Sequence, residues 1–150
     1  MADSETIFTV SKDKALLQTG RVMELLGQSY WANNRTRETV EKSIENSICY
    51  SAFADGVQVG FARVVSDFAT AFYICDVIVD PAWRGRGIGK LLIRTITEDE
   101  PFRPLLGILL TTDAHGLYEK YGFEKSGPKF MLKPRKINYE QKISAPQPGR

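Results

Sequence analysis

Between Ala71 and Leu110 two nearly uninterrupted apolar runs are separated by a glycine- and arginine-rich loop and a helical stretch. Ala71 to Val79 is apolar at almost every position, which suits a strand buried on both faces rather than one with a wet side. Pro81 to Gly87 reads as a loop, Ile88 to about Asp99 as a helix, and Leu105 to Leu110 as a second buried strand. A central strand, a helix and another buried strand form a right-handed parallel βαβ unit. Neither apolar run approaches the ~20 residues needed to span a bilayer, so no membrane role is expected.

The rest of the chain is read around that unit. Glu5 to Val10 suits a short strand, and Ser11 a helix N-cap preceding Leu16, Thr19, Val22, Met23 and Leu26 on one face, with a stop near Gly27. Thr36 caps a second helix, with Glu38 and Glu41 in or near its first turn and Val40, Ile44 and Ile48 at a four-residue spacing. Ile48 to Ala54 turns at Asp55-Gly56 into a strand from Val57 to Asp67, a hairpin signal. A short helix from Ala114 to Tyr121 stops at Gly122, and Lys129 to Lys133 reads as a last edge strand. The predicted order is β-α-α-β-β-β-α-β-α-β, an α/β fold with a mixed sheet.

With 150 residues, 43% of them apolar and 25% charged, the chain can bury one core. No repeat or linker divides residues 1–133, which are expected to form a single domain. Residues 134–150 are expected to be a basic, proline-containing tail. From residue 129 onward, six Lys/Arg face Glu140 alone, whereas residues 1–128 sum to −3. A basic tail can meet nucleic acid, but this one is short and lacks interleaved aromatics, so no nucleic-acid partner is expected. The first residues carry no basic segment followed by an apolar stretch, so no secretory signal is expected. Cys49 and Cys75 have apolar neighbours and no CxxC spacing, which suits reduced core thiols in a cytoplasmic protein.

The strongest chemical signal is Arg84-Gly85-Arg86-Gly87-Ile88-Gly89-Lys90 between a strand and a helix. Glycines let a ligand approach the backbone N–H groups, and a helix N-terminus adds positive potential, so the loop suits a phosphate or pyrophosphate. A Walker A loop would need glycine where Arg84 stands and Ser or Thr where Leu91 stands. A dinucleotide fingerprint beginning at Gly85 would need glycine in place of Lys90. What remains is Arg-x-x-Gly-x-Gly, on Arg84, Gly87 and Gly89, after Val77-Ile78-Val79-Asp80-Pro81.

With that motif the chain resembles the GNAT superfamily of acyl-CoA-dependent N-acetyltransferases, whose hallmark Gln/Arg-x-x-Gly-x-Gly/Ala follows the fourth strand. A second stretch, from Asp113 through Ala114, Tyr118, Gly122 and Phe123, is similar to the family's Ala-x-x-x-Tyr-x-x-x-Gly-Phe segment. Many members carry Asn where this chain has Thr111. The resemblance implies a single acyltransferase domain with acetyl-CoA as co-substrate and no metal. It implies that the backbone of Arg84, Gly85, Arg86, Gly87, Ile88, Gly89 and Lys90 holds the CoA pyrophosphate. It further implies that Val77, Ile78 and Val79 pair with the pantetheine arm like an added strand.

The implied reaction is direct attack of a primary amine, of a small molecule or a protein, on the acetyl thioester. Tyr118 occupies the family's position for the acid that protonates the leaving thiolate; it can equally pack beneath Phe123. Asp76 is the best single candidate for the base or for binding the acceptor, because a carboxylate in so apolar a strand needs a reason. Its alternative is pairing with Arg63 or a backbone N–H, and Asp67 is a weaker base candidate. His115 is the lone histidine and can cap the last helix or line the cleft. Tyr30, Trp31, Arg35 and Arg37 fall where the family builds its acceptor site, and surface packing explains them equally well. The −3 body favours a cationic amine without choosing one, and homodimerisation, common in the family, stays open. The reading from another class is a CoA-binding regulatory or interaction module with little turnover.

Overall fold

The computed structural model describes residues 6–136. Five strands form one sheet in chain order: β1 (Phe8–Ser11), β2 (Ile48–Ala54), β3 (Val57–Ser66), β4 (Ala71–Val79) and β5 (Leu106–Leu109). The first four are antiparallel neighbours, while β4 and β5 are parallel. Helices α1 (Thr19–Gly27) and α2 (Arg37–Glu45) join β1 to β2, α3 (Ile88–Glu98) makes the parallel crossover, and α4 (His115–Glu119) follows β5. This is the mixed α/β sheet expected, with the βαβ unit in place. Among the described residues no helix is long and apolar enough to cross a membrane.

Each face of the sheet has its own core. On one face Tyr50, Ala52, Val59, Ala62, Val64, Phe72 and Ile74 pack against Ile88, Leu92, Ile93 and Ile96, the apolar stripe of α3. On the other, Cys49, Phe61 and Ile78 pack against Val22, Leu25 and Leu26 of α1 and Val40 of α2. Helix α3 approaches closely because Gly60 lies beneath it. A Cβ there would come within 3.0 Å of Ile88 Cγ2 and 3.2 Å of Ala52 Cβ. That contact seats the start of α3 beside the end of β4, since Gly60 is the cross-strand partner of Val79.

Two expected elements differ. Helix α1 begins at Thr19 rather than after Ser11, because Ser11 belongs to β1 opposite Ser51. The Ser11 hydroxyl accepts from the Asp13 N–H and Asp13 Oδ1 from the Ala15 N–H, so local turns occupy the intervening chain and Leu16 stays exposed. The last strand expected over Lys129 to Lys133 does not form. A 3-10 turn, Gly127–Lys129, replaces its start, and Phe130, Met131 and Leu132 are 49%, 93% and 61% exposed. Pro128 and Pro134 bracket the segment, so no ladder can be extended through either end of it. Of the expected tail, residues 137–150 lie outside the described residues.

The thiols Cys49 and Cys75 are both free. Each is the cross-strand partner of Arg63, one on β2 and one on β4. Two strand spacings, about 9.5 Å, therefore separate their backbones, too far for a disulfide. Burial pushes each thiol up to about 11.

Gln58 fastens α1 to the sheet. Its fully buried side chain accepts from the Gln18 N–H at 3.0 Å and donates to the Gly60 carbonyl at 3.2 Å. Replacing it by leucine removes both of these hydrogen bonds. Gln58→Leu is expected to lose about 1–3 kcal/mol, read as a lower urea midpoint with an unchanged m value; wild-type stability would contradict the fastening role.

Candidate functional site

Strands β4 and β5 pair only over Ala71 to Ile74 against Leu106 to Leu109. Beyond that point β4 runs on through Val79 with no strand partner on the β5 side among the described residues. Val77, Ile78 and Val79 all lie in this stretch. The Asp80 N–H donates to the Val59 carbonyl, so at even positions here the backbone points toward β3. Val77 and Val79 therefore turn their N–H and C=O groups to the open edge.

The glycine loop follows directly. Asp80 receives Arg21 on one carboxylate oxygen and the Ala82 N–H on the other, starting a 3-10 turn over Pro81–Trp83. Gly85 and Gly87 take φ of +80° and +84°, in the left-handed region that costs a non-glycine residue about 1–2 kcal/mol. Gly87 is the N-cap of α3, with no capping side chain, and the first turn holds no acidic residue. The first N–H groups of a helix have no partner inside it, so those of Ile88, Gly89 and Lys90 have no acceptor within α3 and can receive an anion. Arg86 stacks over Trp83 at 4.8 Å from the ring centroid, and Phe8 meets the same ring edge-on at 5.8 Å. Loop and open strand edge together fit a long ligand bearing phosphates at one end and amides along its arm.

Asp76 sits where β4 leaves β5. Its side chain is 2% exposed and receives Arg35 Nη1 at 2.7 Å, Arg63 Nε at 2.9 Å and Trp31 Nε1 at 3.1 Å. Burial alone would raise the carboxyl, but the two guanidiniums outweigh it and hold Asp76 below the usual carboxylate range. The expected partner Arg63 is thus present, together with two donors from the α1–α2 loop. That loop also reaches the chain after β5, through a 2.8 Å hydrogen bond between the hydroxyls of Tyr30 and Thr112. The rings of Tyr30 and Trp31 meet edge to face at 5.1 Å. Arg37 instead faces solvent, paired with Glu41 one turn along α2.

Tyr118 lies in α4, buried in the α3-side core and edge-on to Phe123 at 6.1 Å. Its ring packs as the alternative reading expects, but its hydroxyl has no hydrogen-bond partner among the described residues. Burial, with Asp113 nearby, raises the phenol above its ordinary value, so it stays protonated at neutral pH and can donate. His115 is exposed at the start of α4. Thr111, at the position where many members of the resembled family carry Asn, accepts from the Ala114 N–H at 3.0 Å and shapes the turn into α4. Asp67 belongs to the β3–β4 turn, accepting from the N–H groups of Ala69 and Thr70, at the opposite end of β4 from the glycine loop. That distance removes it as a base candidate.

The Arg35–Asp76 pair, Thr112 and Trp83 join the site only in the folded chain. Arg35 carried a usable signal: a cation four residues after a tryptophan, in a chain with a buried carboxylate to neutralise. Thr112 and the Arg86–Trp83 stacking carried none.

Comparison with known proteins follows the same outline. The model of the acetyltransferase (GNAT) domain matches residues 45–125, more than half of the chain. A solved structure of a GNAT-family protein from Xanthomonas campestris is 39% identical, covers 86% of this chain and 93% of its own, and superposes with a TM-score of 0.81. Streptothricin acetyltransferase of Escherichia coli is 29% identical over 130 residues, 83% of this chain and 75% of the relative. An aminoglycoside N-acetyltransferase in complex with CoA shares the fold at 17% identity, with a TM-score of 0.66 over 91% of this chain and 100% of its own. The chain belongs to the GNAT acetyltransferase family.

Proposed function

We propose that this protein transfers an acetyl group from acetyl-CoA to a primary amine of a small molecule or peptide, in the cytoplasm. The observation that carries the reading is the junction of β4 and α3. There a strand edge without a partner among the described residues runs straight into an uncapped, glycine-lined helix N-terminus. The backbone N–H groups from Arg84 to Lys90 hold the pyrophosphate, and the side chains of Arg84, Arg86 and Lys90 add charge. Val77 and Val79 pair with the amide-bearing arm, which also fixes Ile78 between them.

Bound acetyl-CoA supplies an activated thioester. Tyr118 holds a proton at its hydroxyl that it can pass to the sulfur as the C–S bond breaks and thiolate charge builds up. The absence of a hydrogen-bond partner for that hydroxyl among the described residues supports this role. Asp76, expected as a base candidate, is not proposed as one. Three donors occupy its carboxylate, and its lowered pKa makes it a poor proton acceptor. Ordered water carries away the ammonium proton instead. Tyr30 and Trp31 flank the acceptor side, and streptothricin and the aminoglycosides named for relatives head a panel of amines to try.

Two variants test the roles. Gly87→Val forces a β-branched residue into a left-handed conformation and crowds the amides meant for phosphate. Calorimetry is expected to show CoA binding weakened at least tenfold, about 1.4 kcal/mol, while circular dichroism shows a retained fold; unchanged CoA affinity would remove the pyrophosphate assignment. Tyr118→Phe keeps the ring and deletes a hydroxyl that bonds to no described residue, so the melting temperature should hold. With an acceptor from the panel, kcat is expected to fall ten- to a hundredfold with little change in CoA affinity. An unchanged kcat would assign Tyr118 to packing alone.

A further inference from the structure

The backbone of β4 reverses its facing at Asp76. Phe61 pairs with Ile78 and Arg63 with Cys75, so Asp76 and Val77 together oppose the single residue Ala62, a β-bulge. Asp76 takes φ of +55°, uncommon for any residue other than glycine. Before the bulge, Phe72 and Ile74 enter the α3-side core; after it, Val77 and Val79 do so, and Ile78 turns to the α1 side. Backbone facing reverses as well. The Thr70 carbonyl accepts from Leu106 on β5, whereas the Asp80 N–H donates to Val59 on β3. Without the extra residue, Asp76 would point into the apolar core beneath α3, and Val77 and Val79 would spend their backbone groups on β3 rather than the open edge.

The bulge does not hold itself. The Asp76 carboxylate is gripped by Arg63 from β3 and by Trp31 and Arg35 from the α1–α2 loop. That loop carries Tyr30, which reaches across to Thr112 beyond the end of β5. One buried carboxylate therefore joins the strand proposed to receive the cofactor arm to the loop that flanks the acceptor side.

We infer that Asp76 is a positioning residue, whose carboxylate clamps the α1–α2 loop onto the β4 bulge so that occupancy of the β4 edge is felt at Trp31. The inference rests on the proposed CoA site and goes beyond it. It makes acceptor loop and cofactor strand one mechanical unit, and it gives Asp76 a role in which its proton never moves.

The test uses the full chain labelled with 5-fluorotryptophan. The chain contains two tryptophans, Trp31 and Trp83, so two fluorine resonances are expected, assigned with Trp83→Phe. CoA is the probe, and calorimetry measures its binding independently. Saturating CoA is expected to shift the Trp31 resonance in the wild type. Asp76→Asn, nearly isosteric and tolerant of positive φ, should weaken CoA binding several-fold and abolish the Trp31 shift at saturation. Asp76→Gly accepts the backbone conformation without strain and should lose the shift as well. If Asp76→Asn does not fold, Arg35→Gln, which leaves the Arg63 pairing in place, should bind CoA with the Trp31 shift lost. A wild-type Trp31 shift in the glycine or asparagine variant would overturn the clamp, as would CoA binding to the wild type with no shift at Trp31. Failure of the wild type to bind CoA would instead overturn the cofactor reading on which the clamp rests.

Discussion

A carboxylate removed from water must be met by donors, and in this fold much of the site's geometry follows from how Asp76 is met. Stranding it would cost several kcal/mol. One residue of bulge carries it away from the apolar layer under α3 and toward the α1–α2 side, where Arg35, Arg63 and Trp31 converge. The same single-residue shift exchanges which backbone groups of β4 face β3 and which face outward. Charge neutralisation and the exposure of a strand edge are thus two results of one local distortion.

The second constraint is the approach of α3. Gly60 lets Ile88 and Leu92 press onto β3 and β4, fixing the helix start beside Val79. Gly85 and Gly87 then turn the chain through left-handed conformations that bring the helix N-terminus round without a side chain in front of it. Strand edge and helix terminus thereby share one end of the sheet, the place where ligands of open α/β sheets gather. Arg21 on Asp80 and Arg86 on Trp83 pin the loop from both sides.

Much of this was legible in the sequence because it depends on local chemistry. The bounds of β2 and β4 follow from apolar runs ended by Asp55-Gly56 and by Asp80-Pro81, and Thr36 caps α2 as its position predicts, accepting from the Thr39 N–H. Gly85 and Gly87 announce the loop because few other residues tolerate the left-handed backbone there. The misreadings have equally local causes. Ser11 looks like a cap, but its hydroxyl serves a turn and its backbone extends β1. Phe130, Met131 and Leu132 look like a strand but find no face to bury against. The Arg35–Asp76 pair was illegible for another reason: 41 residues separate the partners, and only the fold brings them together.

Hydrogen–deuterium exchange of the whole chain with and without CoA tests the central claim, that the β4 edge and the α3 N-terminus form one cofactor site. The account predicts slower exchange in peptides covering Val77 to Val79 and Gly85 to Lys90 when CoA is present, with the β1–β2 ladder unchanged. Binding of CoA without protection at both segments, or with protection elsewhere on the sheet, would contradict it.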